Sequence, residues 1–310
     1  MHELDTSRHS HLVDPQLHVW GWEIPVYLFL GGMAAGLMIV SALLAGREGE
    51  RSRAARWLGL AAPVLVSIGM GALFLDLSNR LHAFRFYLAL RPTSPMSWGA
   101  WILLVVYPVT LLSGIGGLTG ADAELLAARA GPLGGAVRWA RAFAAPRAAA
   151  LRAWTLWTGV ALGVYTGILL SSLGARALWA SPLLGPLFLA SGVSTGAAFM
   201  LLFGLDAGER HAVSRWHLGA VALEVALLAL FLLGLLTGGQ ASRDAAQLLL
   251  GGRFTAAFWA LVVIAGLGVP AALELGEARL RLKPTLAAPA LVLVGGLSLR
   301  WILVAAGQVL

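Results

Sequence analysis

The sequence predicts an all-α, polytopic membrane protein with eight transmembrane helices arranged as two four-helix bundles. Three observations carry this reading. Apolar residues make up 59% of the chain and charged residues 12%, against roughly 25% charged in a soluble domain. Eight apolar stretches are each long enough to cross ~30 Å of hydrocarbon at ~1.5 Å per residue. Basic residues also alternate in density from one inter-span loop to the next. With its 38 glycines counted, the chain is about 70% apolar, which excludes cytosolic enzymes and nucleic-acid binders. The surplus of 22 basic over 15 acidic residues is therefore read first as a topology signal.

Residues 1–23 form an N-terminal segment with His2, His9, His11 and His18 and no apolar h-region. No cleavable signal peptide is expected, and the first span directs insertion. The spans are placed at 24–45, 57–77, 98–119 and 154–173 in a first bundle (24–173). Those at 183–207, 216–236, 254–275 and 284–306 form a second bundle (174–310). Trp57, Trp98, Trp101, Trp154, Trp157, Trp216 and Trp301 fall near span ends, where indole prefers the membrane interface. Pro25, Pro186 and Pro284 stand at or near the starts of the first, fifth and eighth spans, where a missing N–H costs little.

Orientation follows from the arginines. The odd-numbered loops hold 14 Lys and Arg residues, and the termini and even-numbered loops hold seven. Both termini are therefore expected outside a bacterial cytoplasmic membrane, with residues 46–56 and 120–153 in the cytoplasm. Gly32-x-x-x-Gly36 in the first span and Gly192-x-x-x-Gly196 in the fifth lie at similar depths after a Leu-Phe-Leu. Small residues at this spacing let helices approach closely. Four spans apart, the two also read as an internal repeat running in one direction.

The protein offers few redox ligands. It has no cysteine, so it ligates no iron–sulfur cluster and forms no disulfide. His18, His82, His211 and His217 are all placed at span ends or in loops, so a haem held between two histidines is not expected. Gly192-Val-Ser-Thr-Gly196 matches the G-x-S-x-G pattern. It lies in an apolar span without the strand that a nucleophile elbow needs. Ionisable residues in spans are more informative, because each costs roughly 2.5–3.5 kcal/mol at a helix centre. Asp206 and Glu274 read as solvated span ends. Asp76, Glu224 and Arg300 do not. Glu224 and Arg300 read either as an ion pair or as separate stations on a polar proton path. Tyr165, in the outer half of the fourth span, needs a polar partner for its hydroxyl.

Several segments together resemble one family. His18-Val-Trp-Gly-Trp-Glu-Ile-Pro25 runs into Val-Tyr-Leu-Phe-Leu-Gly-Gly-Met-Ala-Ala-Gly36. Leu75-Asp-Leu77 precedes Arg85-Phe86 and Ser94-Pro-Met-Ser-Trp-Gly99. Tyr165-Thr-Gly-Ile-Leu-Leu170 and Leu299-Arg300 with Ala306-Gly-Gln308 follow in order. Across nearly its whole length the sequence resembles the NrfD/PsrC family, the membrane subunits of polysulfide reductase and related complexes. The resemblance implies a helical subunit of a respiratory redox complex that binds quinone or menaquinone near the outer face and holds no haem or iron–sulfur cluster. It also implies a ferredoxin-like iron–sulfur partner on that face and a molybdopterin or multihaem catalytic subunit. In the family pattern an Asn and a His before the first span and a Tyr on the fourth hold the quinone head group. Here these map to Gln16 as the nearest amide, His18 and Tyr165. Arg80 and His82 fall in the segment after Asp76 and are assigned to the same region. Asp76 and His18 are the candidate proton acceptors or donors.

The residues read alone lead to the same place. His18, Asp76, the Ser94–Trp98 turn and Tyr165 all fall in the outer half. A protein without haem histidines or cluster cysteines must pass electrons directly between quinone and a partner's cofactor. The alternative is a secondary transporter, since repeats and intramembrane charges occur there too. A purely structural anchor is the third class.

Overall fold

The computed structural model describes residues 20–47, 51–77, 80–88, 91–174, 176–280 and 285–309. The described residues form helices and connecting turns without a strand, and eight helical stretches are long and apolar enough to span a membrane. Pro284, Gln16 and His18 lie outside the described residues.

The first span is α1 (Glu23–Ala45). The second comprises α2 (Arg53–Leu58), whose first turn is capped by the Ser52 hydroxyl accepting from Ala55 N–H at 3.2 Å, and α3 (Ala61–Asp76). A short helix, α4 (Arg85–Leu88), precedes the third span, α5 (Pro95–Gly116), which opens on Pro95. Next comes a helical hairpin, α6 (Gly120–Arg129) and α7 (Gly134–Ala144), in a stretch whose sequence suggests only a loop. Its turn uses Gly131 at φ 56°, a left-handed conformation that favours glycine. The fourth span, α8 (Ala148–Ser171), begins six residues before its expected start.

The fifth span, α9 (Leu184–Leu201), stops before its expected end at 207 because the next helix begins there. The Asp206 backbone N–H donates to Glu209 Oε2 at 3.1 Å, and α10 (Ala207–Thr237) runs 31 residues from that start. This corrects the placement of His217. It is not at a span end but ten residues inside α10 and fully buried. A surface helix, α11 (Gln240–Leu250), leads to the seventh span. That span is α12 (Thr255–Ala257), a π-helical stretch Phe258–Gly268, and α13 (Val269–Leu280). The wide turn has a local cause. A Pro270 ring in an α-helix would strike the carbonyl of Gly266; here the Val269 N–H reaches five residues back to Ile264. The eighth span is α14 (Ala287–Gly307).

At the centre α1 packs on α9, and both touch α8 and α14. The two glycine pairs meet in register, so these helices run parallel. A Cβ on Gly36 would overlap the Gly192 carbonyl, one on Gly192 would sit 2.6 Å from the Gly32 oxygen, and one on Gly196 would reach 2.5 Å from Gly36 C. The spacing that signals close packing thus forms the α1–α9 seam. Trp98, Trp101, Trp154, Trp157 and Trp301 are exposed on the outside of the bundle.

Candidate functional site

Where α1 and α5 begin and α3 and α8 end, these helices and the 80–88 segment enclose a cavity of about 530 Å³. Pockets for organic ligands run to roughly 300–1,000 Å³, mostly apolar with a few placed polar groups. This one has that character. Met70, Phe74, Met96 and Leu103 supply hydrocarbon and ring surface, and Tyr27, Tyr87 and Tyr165 supply hydroxyls.

Tyr27 lies one turn into α1 and Tyr165 one and a half turns before the end of α8, both buried. The two phenols lie close enough to act on each other electrostatically. Each phenol carries one hydroxyl proton that it can donate. Tyr87, on α4, is half-buried; burial pushes its phenol up from the usual value, with Tyr107 adding to the shift. It remains a protonated donor at neutral pH. Gly99, four residues into α5, makes room for this arrangement. A Cβ there would overlap the Tyr165 Oη and Cζ and lie 2.7 Å from Cε1.

The other sequence candidates fall around this cavity. Asp76 ends α3, half-buried, within electrostatic reach of Glu23 at the start of α1. Arg80 donates from Nη2 to the Leu75 carbonyl at 2.7 Å and so satisfies the end of α3. His82 is exposed and stacks on Phe84, whose side chain borders the cavity. Of the assigned residues that are described, Tyr165 alone forms the wall itself. Trp20, two residues after His18, is held by Gln308: the Trp20 N–H donates to Oε1 at 2.8 Å, and Nε2 donates to the Trp20 carbonyl at 3.1 Å. The Trp20 ring also packs 5.3 Å from Trp179, whose Nε1 donates to the Leu303 carbonyl. The segment just before α1 is thereby anchored to the last helix, which gives the Ala306-Gly-Gln308 motif a structural meaning. Gly307 leaves space for the Trp179 ring.

Glu224 and Arg300 form a second polar centre, both buried. Arg300 Nη1 donates to Ser191 Oγ and to the Gly296 carbonyl, each at 2.9 Å, and Nε to the Leu28 carbonyl at 3.3 Å. The Arg300 guanidinium also lies 5.1 Å from the Phe188 ring centroid. Glu224 accepts from Ser194 Oγ at 2.8 Å, and Ser194 Oγ also lies 3.0 Å from the Ser191 carbonyl oxygen. Ser191 and Ser194, three residues apart on α9, thus stand between the two charges, Ser191 on Arg300 and Ser194 on Glu224, a link not visible from helix spacing. Ser194, the central residue of the G-x-S-x-G match, lies mid-helix in α9 and serves Glu224. Glu274, expected at a solvated end, is instead buried, with Oε1 2.8 Å from His217 Nδ1.

Sequence reasoning gives no role to Tyr27, Tyr87 or Gly99. Tyr27 and Gly99 stand inside motifs that carry the family resemblance, but nothing in one sequence says which motif positions face a cavity. Among the described residues no group of three or more His, Asp or Glu side chains could hold a metal ion.

Fold and cavity define a class: a multi-pass helical membrane protein with an apolar, tyrosine-lined pocket at one end of its bundle. The model of the family described as polysulphide reductase, NrfD, matches residues 11–310. The sequence is similar to protein NrfD of Escherichia coli, at 34% identity over 305 residues, covering 94% of this protein and 95% of that one. It is similar to the C subunit of polysulfide reductase from Wolinella succinogenes, at 31% over 273 residues and 83% of each protein. An NrfD homolog of Haemophilus influenzae is 26% identical over 263 residues, 81% of this protein and 82% of that one. The chain belongs to the NrfD polysulphide reductase family.

Proposed function

We propose that this protein is the quinone-reactive membrane subunit of a respiratory redox complex and that the tyrosine-lined cavity takes the quinone or menaquinone head group. The observation that carries the reading is the pairing of a roughly 530 Å³ apolar cavity with buried phenol donors on its wall. Met70, Phe74, Met96 and Leu103 suit a flat ring and its isoprenoid tail. The Tyr27 and Tyr165 hydroxyls offer donors from the wall, and Tyr87 offers another from the covering segment. When bound, the quinone supplies the two-electron, two-proton chemistry that the protein's own residues lack.

The protein's contribution is positioning and proton handling. A fixed hydroxyl donor is worth most where charge develops on an oxygen during the reaction, which gives Tyr165 its role. Asp76 at the cavity's end and His18, before α1 in the sequence, accept or deliver protons; Gln16, Arg80 and His82 are the further candidate contacts to the head group. Electrons are exchanged with a ferredoxin-like iron–sulfur partner docked on the outer face, with a molybdopterin or multihaem catalytic subunit beyond it. The relatives named as a polysulfide reductase subunit and as NrfD support membership of such a complex. In this reading both termini lie outside, and 24–173 and 174–310 are the two four-helix units, joined at the α1–α9 seam.

Tyr165→Phe tests the reading. It deletes one hydroxyl and keeps the ring. Quinol-linked turnover of the assembled complex should fall roughly ten- to a thousand-fold, the scale of a lost oxyanion donor. Activity with an artificial electron donor should be unchanged. Unchanged quinol turnover removes Tyr165 from the site, and equal losses in both assays assign it to assembly.

A further inference from the structure

The helical hairpin between the third and fourth spans has no part in the quinone chemistry, yet it is firmly built. Gly134 lets α7 sit directly on α6, because a Cβ there would come 2.6 Å from the Ala127 carbonyl oxygen. Gly116, the last residue of α5, also makes room for α7: an added Cβ would lie 2.7 Å from Ala144 Cβ. Arg53 and Arg56 of α2 each pair with Asp122 of α6 at 3.3 Å. The buried side of α7 is Gly134, Val137, Ala140 and Ala144, a spacing of three and four residues that marks one helix face.

The other side of α7 packs on nothing in the chain. Trp139 is 63% and Phe143 36% exposed. Their rings, one turn apart, stack with centroids 5.4 Å apart and planes 19° from parallel. The Arg147 guanidinium lies 4.1 Å from the Phe143 ring centroid, and its Nη1 donates to the Phe143 carbonyl at 2.9 Å. That one bond leaves the other guanidinium donors for a ligand, and Arg147 is exposed.

The depth of this face is set by its neighbours. The hairpin follows the end of α5, and α7 leads through Ala145–Arg147 into the start of α8. It therefore stands at the bundle end opposite the tyrosine cavity, level with the bilayer surface. Trp154 and Trp157, exposed on α8, carry the aromatic surface on towards the hydrocarbon. Charge points the same way. Arg129, Arg138, Arg141, Arg147 and Arg152 fall in this stretch, and no acidic residue occurs between Glu124 and Asp206. Glu124 itself pairs with Arg138 at 3.0 Å. Aromatic rings flanked by arginine are the composition of a helix that lies in the headgroup layer, and a guanidinium fits two oxygens of one phosphate.

We propose that the Trp139–Phe143–Arg147 face of α7 is a binding site for an anionic phospholipid, with the two rings at the boundary of headgroup and acyl chain and Arg147 on the phosphate. Lipid already stands at this depth beside the ends of α5 and α8, whereas a protein would have to displace it. The bound lipid clamps the hairpin, and with it the adjoining ends of those two spans, to the membrane surface. The site is independent of the quinone reading.

The test uses the whole complex. A benzophenone amino acid at Ala142, an exposed neighbour on α7, should cross-link phospholipid when native membranes are illuminated; a cross-link to another protein in its place overturns the proposal. The purified complex is then titrated with phosphatidylglycerol and with phosphatidylcholine, and lipid adducts on this subunit are read by native mass spectrometry. Phosphatidylglycerol should bind the wild type roughly ten-fold more tightly than phosphatidylcholine, given several basic residues near the headgroup. Arg147→Gln and Trp139→Ser should each weaken phosphatidylglycerol about five-fold, the scale of one basic contact at an anionic surface, and Arg147→Lys should recover part of the loss. Arg243→Gln makes the same charge change on exposed α11 at the other end of the bundle and should have no effect. Equal affinity for the two lipids in the wild type overturns the proposal, as does phosphatidylglycerol binding unchanged in both Arg147→Gln and Trp139→Ser. An equal loss in Arg243→Gln and Arg147→Gln also overturns it, because net charge alone would then account for the binding.

Discussion

Gly99→Ala is the most revealing single change, because it adds one methyl group and touches no polar atom of its own. The new Cβ would fall on the Tyr165 Oη and Cζ and come within 2.7 Å of Cε1. Carbon atoms pack at roughly 3.5–4.0 Å, so the phenol must move by about 1 Å or more, or α5 and α8 must part. Overpacking of this kind costs about 1–3 kcal/mol, and a 1 Å misplacement of a positioned group can cost about 100-fold in rate. Quinol-linked turnover should therefore fall roughly ten- to a hundred-fold while artificial-donor activity holds. Gly71→Ala is the control: it borders the same cavity, yet a Cβ there meets no atom within 4 Å. Its turnover should stay within about two-fold. A double-mutant cycle with Tyr165→Ala, which removes the ring the methyl strikes, should show strong coupling. Full quinol turnover in Gly99→Ala, or additive losses in the cycle, would refute the claim that Gly99 acts by seating Tyr165.

Three further outcomes are expected. Gly36→Val should lose the assembled protein, since its side chain would drive into the Gly192 carbonyl, whereas Gly219→Ala, which meets no atom within 4 Å, should not; membrane yield and subunit content decide it. Cysteines introduced at Ser52 and Ala145, in a sequence with no native cysteine, should resist an impermeant thiol reagent in intact cells, and ready labelling of both would invert the orientation. Asp122 is held below the usual carboxylate range by its bond from Thr119, with Arg56, Trp57 and Arg53 adding to this. A lowered folded value stabilises the fold above the unfolded value of about 3.9, and that contribution is lost as pH falls through the folded one. Asp122→Asn should therefore flatten the acid limb of a thermal-stability profile and leave its slope above pH 6 unchanged.

Much of the fold is legible in the sequence because hydrocarbon imposes a length rule. A stretch of about 20 apolar residues has one stable outcome in a bilayer. Boundaries are less legible where a helix continues beyond the membrane. The polar first turns of α10, from Ala207 to Arg215, carry no apolar signal, so the sequence makes His217 look terminal although it lies well inside the helix. Glu274 misleads for a different reason. The expected seventh span stops at 275, whereas α13 continues to Leu280 and Glu274 packs inward against His217 and Ser214 of α10. Tyr165 stands out as an isolated phenol in an apolar span. Its partner Tyr27 and its neighbour Gly99 do not, because contacts between α1, α5 and α8 depend on how the helices pack, which no local pattern encodes.

The central claim is tested most directly by a photoreactive quinone, such as an azidoquinone, illuminated in the assembled complex and followed by peptide mapping of this subunit. The account predicts adducts in the segments around Met96–Leu103 and Tyr165–Leu169, suppressed by excess quinol and weakened in Tyr165→Phe. Adducts confined to other parts of the protein, or labelling indifferent to both competitor and substitution, would contradict it.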